Sequence, residues 1–272
     1  MDSEEVMGRI RDVARSMGIA DIGVASADAW DDDPEGRSPK DLMSSCRSVI
    51  VIGIPLPKTI TDTAPSSYYS HLYSVVNSSL DNASERIALE LGMLGFDAIY
   101  VPRDGYKGIK GLRACMGSFF SHKQAAYYAG MGSYGINGLV LTEKYGPRIR
   151  FSSVLTSAEI PSDAPSEKEL CIKCGRCAEN CPAKAISDGK IDRSACLDRN
   201  EELSKHGISP CGKCMAVCPI GNIKTAPMSQ KGRDNVARFV YRRNLYNSNR
   251  HRVESSRGCQ ARSTTQDLGS CP

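Results

Sequence analysis

CIKCGRCAENCP, Cys171 to Pro182, decides how the chain is read. Its thiols, Cys171, Cys174, Cys177 and Cys181, stand in a C-x2-C-x2-C-x3-C-P pattern. Spacings of two wrap a chain around one iron–sulfur cube, so that three thiolates reach three irons, while the fourth faces away and serves another cube. A partial echo, CGKCMAVCP, supplies Cys211, Cys214 and Cys218 before Pro219, and Cys196 lies between the two runs. The pattern predicts two [4Fe–4S] clusters with crossed ligation. One takes Cys171, Cys174, Cys177 and Cys218; the other takes Cys181, Cys196, Cys211 and Cys214.

Other uses of cysteine fit less well. Zinc sites take two C-x2-C pairs rather than a triplet with an offset fourth thiol. Disulfides need an oxidising compartment. The N-terminus, MDSEEVMGRI, is acidic and polar, with no apolar signal core and no twin arginine. No run approaches the ~20 apolar residues of a membrane span. A cytoplasmic protein with no membrane partner is the expectation, and Cys46, Cys115, Cys259 and Cys271 are expected to be free thiols.

The chain has 272 residues, 40% hydrophobic and 24% charged, enough for one medium domain and a small one. Its net charge of +4 is unevenly spread, because Asn222 to Pro272 carries ten basic residues against three acidic. Val6, Ile10, Val13, Ala14 and Met17 mark one helix face, and Leu72 to Leu94 a longer one. Strands are expected at Ile22–Ala25, Phe96–Val101, Gly138–Thr142 and Arg148–Thr156. Another, SVIVIGIPLP (Ser48–Pro57), is apolar enough to be covered on both faces. Ser118 is the expected cap of a helix running to Ala129. Ala27 to Lys40 reads as a surface loop, and the proline-rich Ser157 to Glu169 as a linker. These boundaries divide the chain into an α/β layered body (1–165), a cluster module (166–228) and a loose basic tail (229–272) with one short helix at Asp234–Arg243. CPAKAI and CPIGNI close the two halves of the module, a repeat typical of ferredoxin-like cluster binders.

A second informative stretch is AGMGSYGINGLVLTEKYGPRIRFSSVLT, Ala129 to Thr156. Gly130, Gly132 and Gly135 form G-x-G-x-x-G, but a helix precedes and a strand follows, the reverse of a dinucleotide fingerprint. Nicotinamide binding by this route is rejected. Backbone without Cβ atoms, able to approach a large ligand closely, remains.

Taken with the cysteines, the AGxGxxG turn, the strand and the GPR segment resemble the family of epoxyqueuosine reductases and reductive dehalogenases. The resemblance spans roughly residues 3 to 223 and includes DIGVA and CRSVIVIGIPLP. It implies a nitroreductase-like body carrying a cobalamin, a corrinoid, fed by a ferredoxin-like module. It also implies that Gly130, Gly132, Gly135, Asn137 and Gly138 lie near the corrinoid. Two positions depart from the family: Met116 stands where epoxyqueuosine reductases carry an aspartate acid, and Ile136 where the family carries lysine or arginine. Neither side chain can move a proton or neutralise charge.

Other titratable residues near the expected cavity are Tyr69, Tyr73, His122, Lys123, Tyr127, Tyr128 and Tyr134. His122 is read as a surface or structurally bonded imidazole and the tyrosines as core-edge residues; KYGPRIR could hold an anionic group through Arg148 or Arg150, but solvated turn arginines are the expectation. The expected function is an iron–sulfur oxidoreductase, taking electrons from an external low-potential donor and reducing an unknown substrate. Two alternatives stand beside it. One is a non-enzymatic electron carrier or maturation partner. The other is an epoxyqueuosine reductase with a relocated acid, whose basic tail helps hold transfer RNA through its phosphates. Oligomeric state is not legible.

Overall fold

The apolar run at Ser48 forms the central strand of a four-stranded sheet. In the computed structural model, which describes residues 2–31, 37–103, 111, 113, 120–221 and 228–236, strand β1 (Asp21–Ser26) pairs with β2 (Ser48–Pro55). Strand β3 (Ala98–Val101) and β6 (Ile149–Thr156) complete the order β1-β2-β6-β3, with every neighbour antiparallel. Val24 faces Ile50, Val51 faces Ser153, and Tyr100 faces Val154.

Alternation along β2 explains its composition. Ile50 and Ile52 enter one apolar cluster, whereas Val49 and Val51 enter a second on the opposite face. The first face is covered by helix α1 (Ser3–Ser16), through Val6 and Ile10, and by α2 (Ser67–Met93), through Leu80, Ile87 and Leu91. The second is covered by helix α3 (His122–Tyr128), through Ala125 and Ala126, and by Trp30. Each large side chain so buried contributes about 1.5–3 kcal/mol. A strand sandwiched between helices therefore has no polar face, and this one is legible as continuous apolar sequence.

Three expectations are corrected here. Trp30, within the expected surface loop, is 1% exposed and packs on Phe120 and Tyr128 at ring-centroid distances of 5.8 and 4.6 Å. The cap of α3 is Ser121, whose hydroxyl accepts from the Gln124 N–H; Ser118 lies outside the described residues. The expected linker is a strap held to the body. Asp163 N–H donates to Val24 O and its carboxylate accepts from Val24 N–H, while Ser48 Oγ accepts from Ile160 N–H.

After α3 comes a small hairpin, β4 (Ser133–Tyr134) with β5 (Val140–Leu141). The cysteine-rich segment follows, with short helix α4 (Arg176–Glu179), hairpin β7 (Ile186–Ser187) and β8 (Lys190–Ile191), helix α5 (Arg193–Ser204) and short helix α6 (Lys213–Ala216). Residues to Met228 cluster as one unit and Ser229–Pro272 as a second; of the second, 229–236 are described, with helix over 230–236. The rest of the expected helix to Arg243 lies outside the described residues, as does the remaining basic tail. No helix among the described residues is long and apolar enough to cross a membrane.

Candidate metal centre

The C-G-[RK]-C sequences at Cys174–Cys177 and Cys211–Cys214 fold alike. Gly175 and Gly212 adopt φ of +76° and +66°, and each starts a one-turn helix, α4 or α6, that carries the next cysteine. Only glycine takes that left-handed turn at little cost, so both halves of the motif turn their thiols back toward the centre of the module.

The eight thiols sort into two quartets. Cys171, Cys174, Cys177 and Cys218 line one small cavity of about 20 Å³, bounded also by Ile136, Asn137, Leu141 and Arg176. Cys181, Cys196, Cys211 and Cys214 line a larger one of about 240 Å³, which extends to Tyr69, Tyr73, Leu139 and Arg150. None of the eight forms a disulfide. Among the described residues no three His, Cys, Asp or Glu side chains converge on a single metal position. A cube spreads its thiolates over four irons, so its ligands stand farther apart than those of one zinc.

Electrostatics follows the same division. Burial, the largest cause, raises the pKa of Cys177, Cys196, Cys214 and Cys218, for Cys214 to about 12. Neighbouring thiols add to it: Cys177 feels Cys218 and Cys171, whereas Cys196 feels Cys181 and Cys211. Cys214 feels Cys177 as well as its own quartet, so the two centres are neighbours. Thiols held up in this way need a metal to draw off their protons.

Several residues position the quartets. Asn200, one turn after Cys196, donates to Cys196 O at 2.8 Å and accepts from Cys211 N–H at 2.7 Å. Ala185 N–H donates to Cys181 Sγ at 3.3 Å. Arg148 is 4% exposed and donates to the carbonyls of Ala216, Cys218 and Ile220 at 3.1, 2.7 and 3.2 Å. It is not the solvated turn residue expected. Nor is Arg150, which lies over the Tyr73 ring and donates to Tyr73 Oη at 2.8 Å and Asn77 Oδ1 at 2.6 Å. Asn200 escaped sequence reasoning; only its spacing four residues after Cys196 hinted at a shared helix face.

The residues expected near a corrinoid divide. Asn137 lines both cavities, and its Nδ2 donates to Cys214 O at 3.4 Å. The glycines face protein. A Cβ on Gly132 would stand 2.1 Å from Leu141 O, on Gly130 2.5 Å from Ala164 O, and on Gly135 2.4 Å from Leu141 Cδ1. One on Gly138 would meet Ile191 at 3.1 Å, and Gly138 O accepts from Lys123 Nζ at 2.7 Å. Their missing side chains thus admit the hairpin, the strap and the module.

Of the titratable candidates, Tyr69 and Tyr73 reach the larger cavity. Tyr69 is buried against Gly212, and burial raises its pKa. Tyr127 and Tyr134 pack against each other at a tilt, and Tyr128 packs edge-on against Trp30. His122 is buried between Ser153 Oγ and Pro102 O at 3.0 and 3.4 Å, and burial lowers its pKa to about 4. It is the structurally bonded imidazole expected. Ile136 lines the smaller cavity; Met116 lies outside the described residues.

Residues 166–187 match the 4Fe-4S binding domain family. Over 200 residues the chain is 31% identical to a tetrachloroethene reductive dehalogenase of Dehalobacter restrictus, covering 66% of this chain and 34% of the relative. Over 118 residues it is 34% identical to an epoxyqueuosine reductase of a Synechococcus species, covering 39% of this chain and 37% of the relative. The chain is a homologue of reductive dehalogenases and epoxyqueuosine reductases. This homologue spans about a third (34%) of the length of the dehalogenase it matches. The solved epoxyqueuosine reductase of Streptococcus thermophilus shares its fold with a TM-score of 0.58 at 19% identity, over 80% of this chain and 68% of that one. A reductive dehalogenase whose structure suggests a mechanism for B12-dependent dehalogenation gives 0.62 at 19%, over 84% and 33%.

Proposed function

We propose that this homologue is an iron–sulfur reductase in which two [4Fe–4S] clusters carry electrons from an external low-potential donor to a bound corrinoid. Cys171, Cys174, Cys177 and Cys218 hold one cluster, and Cys181, Cys196, Cys211 and Cys214 the other. The observation that carries this reading is the sorting of eight thiols, scattered over 48 residues from Cys171 to Cys218, into two cavities with four each. When bound, the clusters supply one-electron transfer and the corrinoid a metal centre able to reduce a substrate.

The body, residues 1–165, is on this reading a nitroreductase-like layer that frames the corrinoid, with 166–228 as the electron-delivery module and 229–272 as an appended basic segment. The corrinoid would lie beside the second quartet, where Leu139, Ile191 and Met215 offer apolar walls and Asn137 and Arg150 offer donors. Its position against the second quartet keeps the electron path short. Tyr73 lines the same space. Its hydroxyl accepts from Arg150, which leaves the phenolic hydrogen free to protonate a reduced substrate. That role is open here, since neither Met116 nor Ile136 can fill it.

Anaerobic purification followed by cobalamin addition and desalting tests the proposal. About eight iron and about eight acid-labile sulfide per chain are expected, together with retained cobalamin that is reduced once the clusters are. Colourless, zinc-loaded protein would sink the cluster assignment. Brown protein that releases all cobalamin would leave an electron carrier in its place.

A further inference from the structure

Arg148 is a buried cation in an unusual setting. The residue immediately precedes β6, and its side chain lies among Tyr145, the segment from Ala216 to Gly221 and two further cations, Lys58 and Arg176. All three of its hydrogen bonds run to neutral backbone carbonyls, the shortest to that of Cys218. Its Nε is buried with no partner. No carboxylate among the described residues lies within ion-pair distance of it. Asp62 acts on it only at longer range and is itself paired with Lys58. A guanidinium withdrawn from water without a contacting counter-charge is expensive to bury, and folds retain one where an anion compensates it.

The anion available is the one proposed above. A cluster ligated by four thiolates is negatively charged, and taking one electron from a low-potential donor adds another negative charge. Cys218 belongs to the first quartet, and the guanidinium donates to its carbonyl at 2.7 Å. A fixed positive charge in a poorly solvated site favours the more negative of two redox states, so it raises the reduction potential.

We propose that Arg148 is the counter-charge of the cluster held by Cys171, Cys174, Cys177 and Cys218, and that it raises that cluster's reduction potential while anchoring the Cys218 segment to the body. This inference rests on the two-cluster reading. Arg148 touches neither substrate nor reacting atoms, so it is a positioning and potential-setting residue.

The test is an anaerobic redox titration followed by electron paramagnetic resonance, on full-length wild type and on Arg148→Gln, Arg148→Lys and Asp62→Asn. The signal altered by Cys218→Ser identifies the first cluster. At the potential that half-reduces this cluster in the wild type, Arg148→Gln is expected to lower its reduced-to-oxidised ratio about tenfold, about 59 mV for a one-electron couple. Arg148→Lys keeps the charge and is expected to stay within about twofold. Asp62→Asn removes an opposing charge and is expected to raise the ratio. The second cluster should not move. An unchanged potential in Arg148→Gln, or an equal shift in Arg148→Lys, would overturn the charge role. Where Arg148→Gln loses the cluster altogether, a lowered potential in the charge-keeping Arg148→Lys overturns it instead. Wild-type protein without iron would instead defeat the two-cluster reading itself.

Discussion

Asn200 Oδ1 accepts the backbone N–H of Cys211 at 2.7 Å, across 11 residues of chain. Its Nδ2 donates back to the carbonyl of Cys196, one helical turn earlier. A single amide therefore fixes the distance between two thiols of the second quartet that come from different elements. Replacing it with leucine keeps the volume and removes both bonds, leaving a donor and an acceptor to find other partners at a cost of about 1–3 kcal/mol. Asn200→Leu is expected to lower iron from about eight toward about four per chain, with the first cluster's resonance retained. Full iron content by colorimetric assay would show that the quartet does not depend on this bridge.

Crossed ligation makes a sharper claim. Cys218 belongs to the second run in sequence but lines the cavity of the first quartet, while Cys181 does the reverse. Cys218→Ser is expected to disturb the same resonance as Cys174→Ser, and Cys181→Ser the same one as Cys214→Ser. Grouping of Cys218 with Cys214 instead would mean that each run holds its own cluster.

Gly132 sits where its missing Cβ would be 2.1 Å from the Leu141 carbonyl oxygen, a backbone atom unable to swing aside. Gly132→Ala must push the β4–β5 hairpin apart. The expected loss is about 1–3 kcal/mol by the cost of overpacking, seen as a lower denaturation midpoint. A corrinoid-contact role alone predicts a different result, with unchanged stability and weakened cobalamin retention.

Local pattern carried much of this structure. The two-sided burial of β2 follows from an unbroken apolar run. What stayed hidden depends on contacts between distant segments. Arg148 and Cys218 are 70 residues apart, and nothing in KYGPRIR separates a solvated arginine from one threaded onto three carbonyls. Trp30 lies in a polar stretch, so its burial needed Phe120 and Tyr128 to be brought beside it. Asp163 looked like a linker charge until Val24 supplied both a donor and an acceptor. Glycines 130, 132 and 135 showed that backbone comes close to something, but not whether to a ligand or to the chain itself.

His122 gives the stability of the protein a pH dependence whose sign can be worked out. In the fold its ring lies between the Ser153 hydroxyl and the Pro102 carbonyl, buried enough to bring its pKa down to about 4. The neutral tautomer with hydrogen on Nε2 satisfies both, donating to Pro102 O and accepting from Ser153. In the unfolded chain the same imidazole titrates near 6.5. Between these values the unfolded state binds the extra proton, so stability rises with pH across the window and levels off above about 6.5. Acidifying through the window is expected to cost on the order of 3 kcal/mol from this group alone. His122→Gln should remove that part of the slope while lowering stability at pH 7. Urea midpoints of the two proteins at pH 7.5, 6.5 and 5.5 provide the check: parallel declines would mean that the imidazole takes up its proton as readily in the fold as outside it.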